Sequence, residues 1–134
     1  VMFNARVLKE EDYLELVSWW TWWRFPPPLQ EMLPNNGTCG IMLSKEGITI
    51  CAGFIYYTNS KMCWIEFVVS NPNYRESDRK EALVSLIHEL GKIAKSQGYK
   101  VAYTNLKNAS LINHFSDCQY IKGSTETTEM IKVL

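Results

Sequence analysis

Trp64-Ile65-Glu66-Phe67-Val68-Val69-Ser70-Asn71-Pro72-Asn73-Tyr74-Arg75-Glu76-Ser77-Asp78-Arg79-Lys80-Glu81-Ala82-Leu83 is the stretch that decides the fold. Met62 to Ser70 is rich in β-branched and aromatic residues and reads as a strand. The hydrophobic period then changes. Ser77 or Asp78 can cap a helix reaching about Gln97, with an apolar stripe of Leu83, Leu86, Ile87, Leu90, Ile93 and Ala94 spaced by three and four. Gly98 supplies its stop. A loop that feeds a helix in this way exposes unpaired N–H groups at the positive end of the helix dipole. That combination suits anions, phosphates above all. Arg75, Arg79 and Lys80 add positive charge there; Glu76 and Asp78 oppose it and leave the loop at net +1.

Downstream, Tyr99 to Thr104 reads as a strand. Asn108 can cap a short helix carrying Leu111, Ile112 and Phe115, and Tyr120 to Leu134 ends in a last strand. Upstream, Thr38 to Leu43 and Ile48 to Tyr57 read as strands turned at Lys45-Glu46-Gly47. Phe3 to Leu8 reads as an opening strand. Glu10-Glu11-Asp12 suits a helix start, and that helix runs into the tryptophans until Pro26-Pro27-Pro28 stops it. The order is β-α-(extended)-β-β-β-α-β-α-β. A strand, long helix and strand at the centre imply parallel pairing through a crossover, whereas the earlier strands meander antiparallel. The expectation is an α/β (α+β) fold. Its sheet is mixed and mostly antiparallel, with helices packed on it.

A length of 134 residues suits one domain, taken as 1–134. Hydrophobic residues at 46% and charged residues at 21% describe a globule and not a disordered chain. Fourteen basic residues offset fourteen acidic ones, which argues against a general grip on nucleic acid. No apolar run approaches the roughly 18 residues that span a bilayer, and no signal-peptide pattern is seen, so no membrane partner is expected. Cys39, Cys51, Cys63 and Cys118 match no metal-ligand spacing, and no metal is expected. Scattered reduced thiols fit a cytoplasmic setting.

Here the chain resembles the GNAT superfamily of acetyl-CoA-dependent N-acyltransferases. Pro72, Tyr74, Arg75, Ala82 and Leu83 match, in order and spacing, that family's strand-4 to helix-3 signature; Glu76, Asp78 and Lys80 stand at its glycine positions. Asn108, Leu111, Phe115 and Gln119-Tyr120 match a second motif in part. Arg6 and Asp12 look like the family's opening strand and first-helix start. The tryptophan-rich first helix and proline segment look like those of uncharacterised phage-type GNAT-like proteins.

The resemblance implies a six- to seven-stranded sheet with a central parallel βαβ crossover and helices on both faces. It implies acetyl-CoA as co-substrate, with the pantetheine arm along Val68, Val69 and Ser70 and the pyrophosphate on Arg75, Glu76, Ser77, Asp78, Arg79 and Lys80. Asn108 and Phe115 fall at the family's downstream cofactor positions. The implied reaction is direct attack of a primary amine on the thioester, with a small-molecule or peptide amine as acceptor. That chemistry needs a base, an oxyanion donor and an acid for the thiolate. Glu66, the only acid between Met62 and Ser70, is the base candidate; an outward residue on an alternating strand is the equal alternative. The family's usual tyrosine acid falls at Phe115, which cannot donate a proton, so Tyr103 and His114 are the remaining acid candidates, with Tyr120 close in sequence.

Trp19, Trp20, Trp22 and Trp23 crowd five positions. Trp19, Trp22 and Trp23 share one helical face, expected to bury against the sheet, and Trp20 points elsewhere. In the family this region forms the acceptor wall, which makes Trp22, Trp23 and Phe25 substrate-binding candidates, suited to an aromatic-lined or cationic amine. Two rival readings remain. A GNAT-like fold without catalysis would serve as a ligand- or protein-binding module. A homodimer would meet through the tryptophan face.

Overall fold

The computed structural model describes residues 2–134. Strands β1 (Asn4–Val7), β2 (Gly40–Lys45), β3 (Ile48–Tyr57), β4 (Met62–Ser70) and β5 (Val101–Tyr103) form one sheet in sequential order. The first four pair antiparallel, and β4 pairs β5 in parallel. Helices α1 (Tyr13–Trp22), α2 (Arg79–Ser96) and α3 (Ala109–Asp117) complete the element order, with short 3-10 turns at Glu10–Asp12, Gln30–Met32 and Pro34–Gly37.

Each sheet face carries its own core. On one face, Leu83, Leu86, Ile87, Leu90 and Ala94 of α2 pack on Ile41, Leu43, Cys51, Ile55 and Ile65. A fully buried Leu or Ile contributes about 1.5–3 kcal/mol through transfer from water, so this stripe dominates the α2 side. On the other face, Leu16, Trp19 and Trp20 of α1 pack on Met42, Ala52, Phe54 and Val69. Arg6 and Asp12 meet in two hydrogen bonds of 2.9 Å each, tying β1 to the start of α1.

Three expectations change. The sheet has five strands, not six or seven. Among the described residues the segment from Tyr120 to Leu134 finds no strand partner, although its apolar residues suit a strand; Ile121, Met130, Ile131 and Val133 stand exposed. A strand is stable only where its N–H and C=O groups meet a ladder, and the β5 edge offers three residues. The tryptophans also divide differently. Trp19 and Trp20 are the buried pair, while Trp22 and Trp23 are exposed. The buried stripe of α1 is Leu16, Trp19 and Trp20, spaced by three and four, which leaves Trp22 off that stripe; Trp23 is the helix C-cap, its N–H still on the Trp19 carbonyl at 3.1 Å. The downstream strand stops at Tyr103 because β4 and β5 part company there.

Candidate active site at the β4–β5 gap

The parting has two local causes. Opposite β3, the ladder pairs Glu66 with Phe54 and then Val69 with Ala52, so Phe67 and Val68 together face Gly53. This is a β-bulge, and Phe67 sits at its left-handed residue with φ 56°. Gly53 makes room for it: a Cβ there would lie 3.0 Å from the Val68 side chain and 2.9 Å from Leu90. The bulge turns Glu66 and Phe67 to the same side, the α1 face; Glu66 is in register with Phe54, and Phe67 packs with Trp20, Phe25 and Tyr56. Towards β5, pairing runs from Met62↔Val101 to Trp64↔Tyr103 and ends. Beyond that row the carboxylate of Glu66 takes the Asn105 N–H at 3.0 Å and the Thr104 hydroxyl at 3.4 Å. A side chain thus stands where a strand-to-strand bond would otherwise close the sheet.

Glu66 is half-buried. Burial raises its pKa above the ordinary glutamate value, the two hydrogen bonds oppose the rise, and the charge of Glu129 adds to it. Its negative charge, after burial, helps push Tyr56 up to about 12. A carboxyl raised in this way is a better proton acceptor at neutral pH than an exposed glutamate.

At the far end of β4 the start of α2 is basic. The Arg79 guanidinium donates to the Ser70 hydroxyl at 2.7 Å and lies 4.9 Å from the Trp23 ring centre. Burial lowers its pKa, and Arg75 lowers it further. Among the described residues no carboxylate pairs with either arginine, while Lys80 stands 3.7 Å from Asp117 at the surface. Asp78 is turned away: it accepts from the Tyr74 hydroxyl and from Lys45, each at 2.7 Å. Those two partners hold it below the usual carboxylate range. Its charge is therefore spent on β2, not on the helix tip, contrary to the crowding its sequence position suggests. Glu76 and Ser77 lie exposed in the loop. The Ala82 N–H bonds the Asp78 carbonyl, leaving the N–H groups of Lys80 and Glu81 without a backbone acceptor.

The remaining sequence candidates scatter around this frame. Trp23 donates its indole N–H to the Ser70 carbonyl at 2.8 Å, and Trp22 stands edge-on to Trp23 at 4.7 Å. Val68 packs toward α2 and Val69 toward α1. Tyr103 is exposed and tilted on Trp64 at 5.2 Å. Asn108 caps α3 by accepting the Leu111 N–H at 3.0 Å. Phe115 is buried in the α2-side core, edge-on to Tyr120. His114 lies near Lys80, Asp117 and Arg79; burial and the two cations lower its pKa, and its Nδ1 is buried without a partner. A groove of about 690 Å3 between α2 and α3, lined by Phe3, Lys80, Val84, His88, Asp117 and Cys118, opens from this side and not from Glu66. Sequence reading missed Lys45, Trp64 and Tyr56. Strand alternation places the last two on the Glu66 face, but only register aligns them.

No family model matches the chain, and no curated protein matches it. Solved structures do. An acetyltransferase of Trypanosoma brucei superposes with a TM-score of 0.66 at 19% identity, over 98% of this chain and 100% of that one. The chain has the GNAT fold, shared with that acetyltransferase. Glucosamine-6-phosphate N-acetyltransferase from Arabidopsis thaliana gives a TM-score of 0.66 at 14% identity, over 98% and 100%. An aminoglycoside acetyltransferase from an uncultured soil metagenomic sample gives 0.68 at 12%, over 97% of each chain. Likeness at these identities shows the fold alone. On the GNAT fold, the bulge, the gap and the basic helix start lie together along β4 and into α2. Among the described residues no helix is long and apolar enough to cross a membrane.

Proposed function

We propose that the chain is an N-acyltransferase that moves an acetyl group from acetyl-CoA to a primary amine by direct attack. The observation that carries this reading is the gap held open between β4 and β5 by the bulge and by Glu66. An extended amide-bearing arm fits such a gap as an added strand along Val68, Val69 and Ser70. Arg75 and Arg79, lacking carboxylate partners, and the free N–H groups of Lys80 and Glu81 suit a pyrophosphate. Glu76 and Asp78 in place of glycine weaken that end less than their charges suggest, because Asp78 is neutralised by Lys45.

Acetyl-CoA supplies the activated acyl group. Glu66 takes the proton of the ammonium and so frees the nucleophile. Beyond Trp64 the β4 backbone has no β5 partner, and an N–H on that edge would suit the developing oxyanion. Tyr103, one row from Glu66, is the acid candidate for the thiolate; Phe115 is committed to the core and has no proton to give. His114, beside Lys80 and Arg79, belongs to the phosphate end.

Isothermal titration with acetyl-CoA tests the reading. Micromolar binding is expected, weakened about tenfold in Arg79→Gln, which corresponds to about 1.4 kcal/mol. Absence of heat at millimolar ligand would contradict it. The second reading, a binding module without catalysis, is favoured by the buried Phe115; acetyl-CoA binding with no thiol release across a broad amine panel would select it.

A further inference from the structure

We infer that the acceptor is an aryl- or indolyl-alkylamine, its ring resting on a cross-strand aromatic row and its ammonium facing Glu66. This inference rests on the acyl-transfer reading and names the substrate class of that site. Register aligns Tyr56 of β3, Trp64 of β4 and Tyr103 of β5 side by side. All three stand on the α1 face, one step from Glu66. Tyr56 packs against the α1-side core, with its hydroxyl on the Met32 carbonyl at 2.9 Å, but Trp64 and Tyr103 belong to neither core cluster. Trp64 is half-buried, and Tyr103 keeps 48% of its surface, tilted on Trp64 at 5.2 Å. Phe67 and Phe25, 6.2 Å apart, continue the aromatic surface on the other side of Glu66.

The charge at the site points the same way. Among the described residues Glu66 is the one carboxylate set among these rings, with the charge of Glu129 acting on it. A polycationic sugar or polyamine needs several carboxylates to replace its hydration. One carboxylate beside rings suits one ammonium on an aromatic body, since ring faces attract both cations and rings. A two- or three-atom tether spans a ring on Trp64 and a nitrogen at Glu66. The chemistry balances: one proton passes from the ammonium to Glu66, the C–N bond forms at the acyl carbonyl, the C–S bond breaks, and a second nitrogen proton ends on the sulfur as free thiol.

The test is a thiol-release assay with acetyl-CoA and four amines, alongside titration of each amine into the protein with and without CoA. Tryptamine and phenethylamine should bind and turn over with KM at least tenfold below those of butylamine and spermidine. Trp64→Leu should raise KM for tryptamine about tenfold and leave that for butylamine unchanged, with Trp64→Phe restoring most of the loss; should Trp64→Leu fold poorly, direct titration of tryptamine into Tyr103→Leu, a binding readout that needs no proton transfer to the thiolate, should show about tenfold weaker binding. Butylamine or spermidine matching tryptamine, or tryptamine KM indifferent to Trp64→Leu and tryptamine binding indifferent to Tyr103→Leu, would overturn the inference while acetyl-CoA binding left the acyl-transfer reading standing. Absence of acetyl-CoA binding would strike that reading instead, and the amine titrations would still decide the aromatic preference.

Discussion

Phe67 carries the sharpest stability prediction, because two effects of opposite sign meet there. Its φ of 56° is left-handed. That conformation costs a side-chain-bearing residue roughly 1–2 kcal/mol and costs glycine nothing. Its half-buried ring packs near Trp20, Phe25 and Tyr56 at 6.2, 6.2 and 6.3 Å between centres. Truncating a fully buried Phe costs about 3–5 kcal/mol, so half that, roughly 2 kcal/mol, is expected here. Phe67→Ala loses the ring and keeps the strain. Phe67→Gly loses the same ring and sheds the strain, less about 0.5–1 kcal/mol for the greater freedom of unfolded glycine. Glycine should therefore beat alanine by about 0.5–1 kcal/mol, the reverse of the usual order in a strand. Urea unfolding reads this directly: with an m-value near 2 kcal/mol per molar, the midpoints should fall in the order wild type, glycine, alanine, the last two about 0.25–0.5 M apart. An alanine variant as stable as the glycine variant would mean that Phe67 is not left-handed. The bulge that opens the site would then be wrong.

Other substitutions probe separate parts of the structure. Gly40→Ala drives a Cβ into the Gly53 carbonyl, where only backbone could yield, and should cost about 3 kcal/mol; a melting temperature within a degree or two of wild type would contradict the close approach. Because burial raises the Glu66 pKa, the acid limb of the kcat/KM profile should have its midpoint above the ordinary glutamate value of about 4.3, and Glu66→Gln should abolish that limb with most of the activity. The same shift sets a sign for stability: the fold disfavours charged Glu66, so the Gln variant should be the more stable protein at neutral pH, with the advantage fading as pH falls through the raised folded value and gone below the unfolded value of about 4.3. Asp12 is held below its ordinary value by Arg6, so its contribution is present above about pH 4 and is lost as pH falls through the lower folded value; Asp12→Asn should cost about 1 kcal/mol at pH 7 and little at pH 2, read by urea melts at both.

The βαβ centre was legible because its signals are local. The β-branched run from Met62, the stripe from Leu83 to Ala94 and the stop at Gly98 each depend on neighbours a few residues apart. The hairpin at Lys45-Glu46-Gly47 and the Asn108 cap were legible for the same reason. What escaped depends on register or on distant partners. Asp78 looked like a charge at the helix tip; its neutralisation by Lys45, on another strand, needs the folded sheet. Trp22 and Trp23 looked buried because the tryptophans alone were used to phase the helical face, whereas the core takes Leu16, Trp19 and Trp20, and Trp23 lies at the helix end. Glu66 was legible as a candidate base, but its hydrogen bond to Asn105 and the Tyr56–Trp64–Tyr103 row appear only once β3, β4 and β5 are aligned. The final strand failed because apolar alternation says that a segment can pair, not that an edge is there to receive it.

The most direct measurement is a crystal structure of the protein grown with CoA. The account predicts a pantetheine arm hydrogen-bonded along Val68 to Ser70 inside the β4–β5 gap, the pyrophosphate against Arg75, Arg79 and the start of α2, and the sulfur directed toward Glu66. CoA bound only in the groove between α2 and α3, or a gap closed by continued β4–β5 pairing beyond Trp64 and Tyr103, would contradict it.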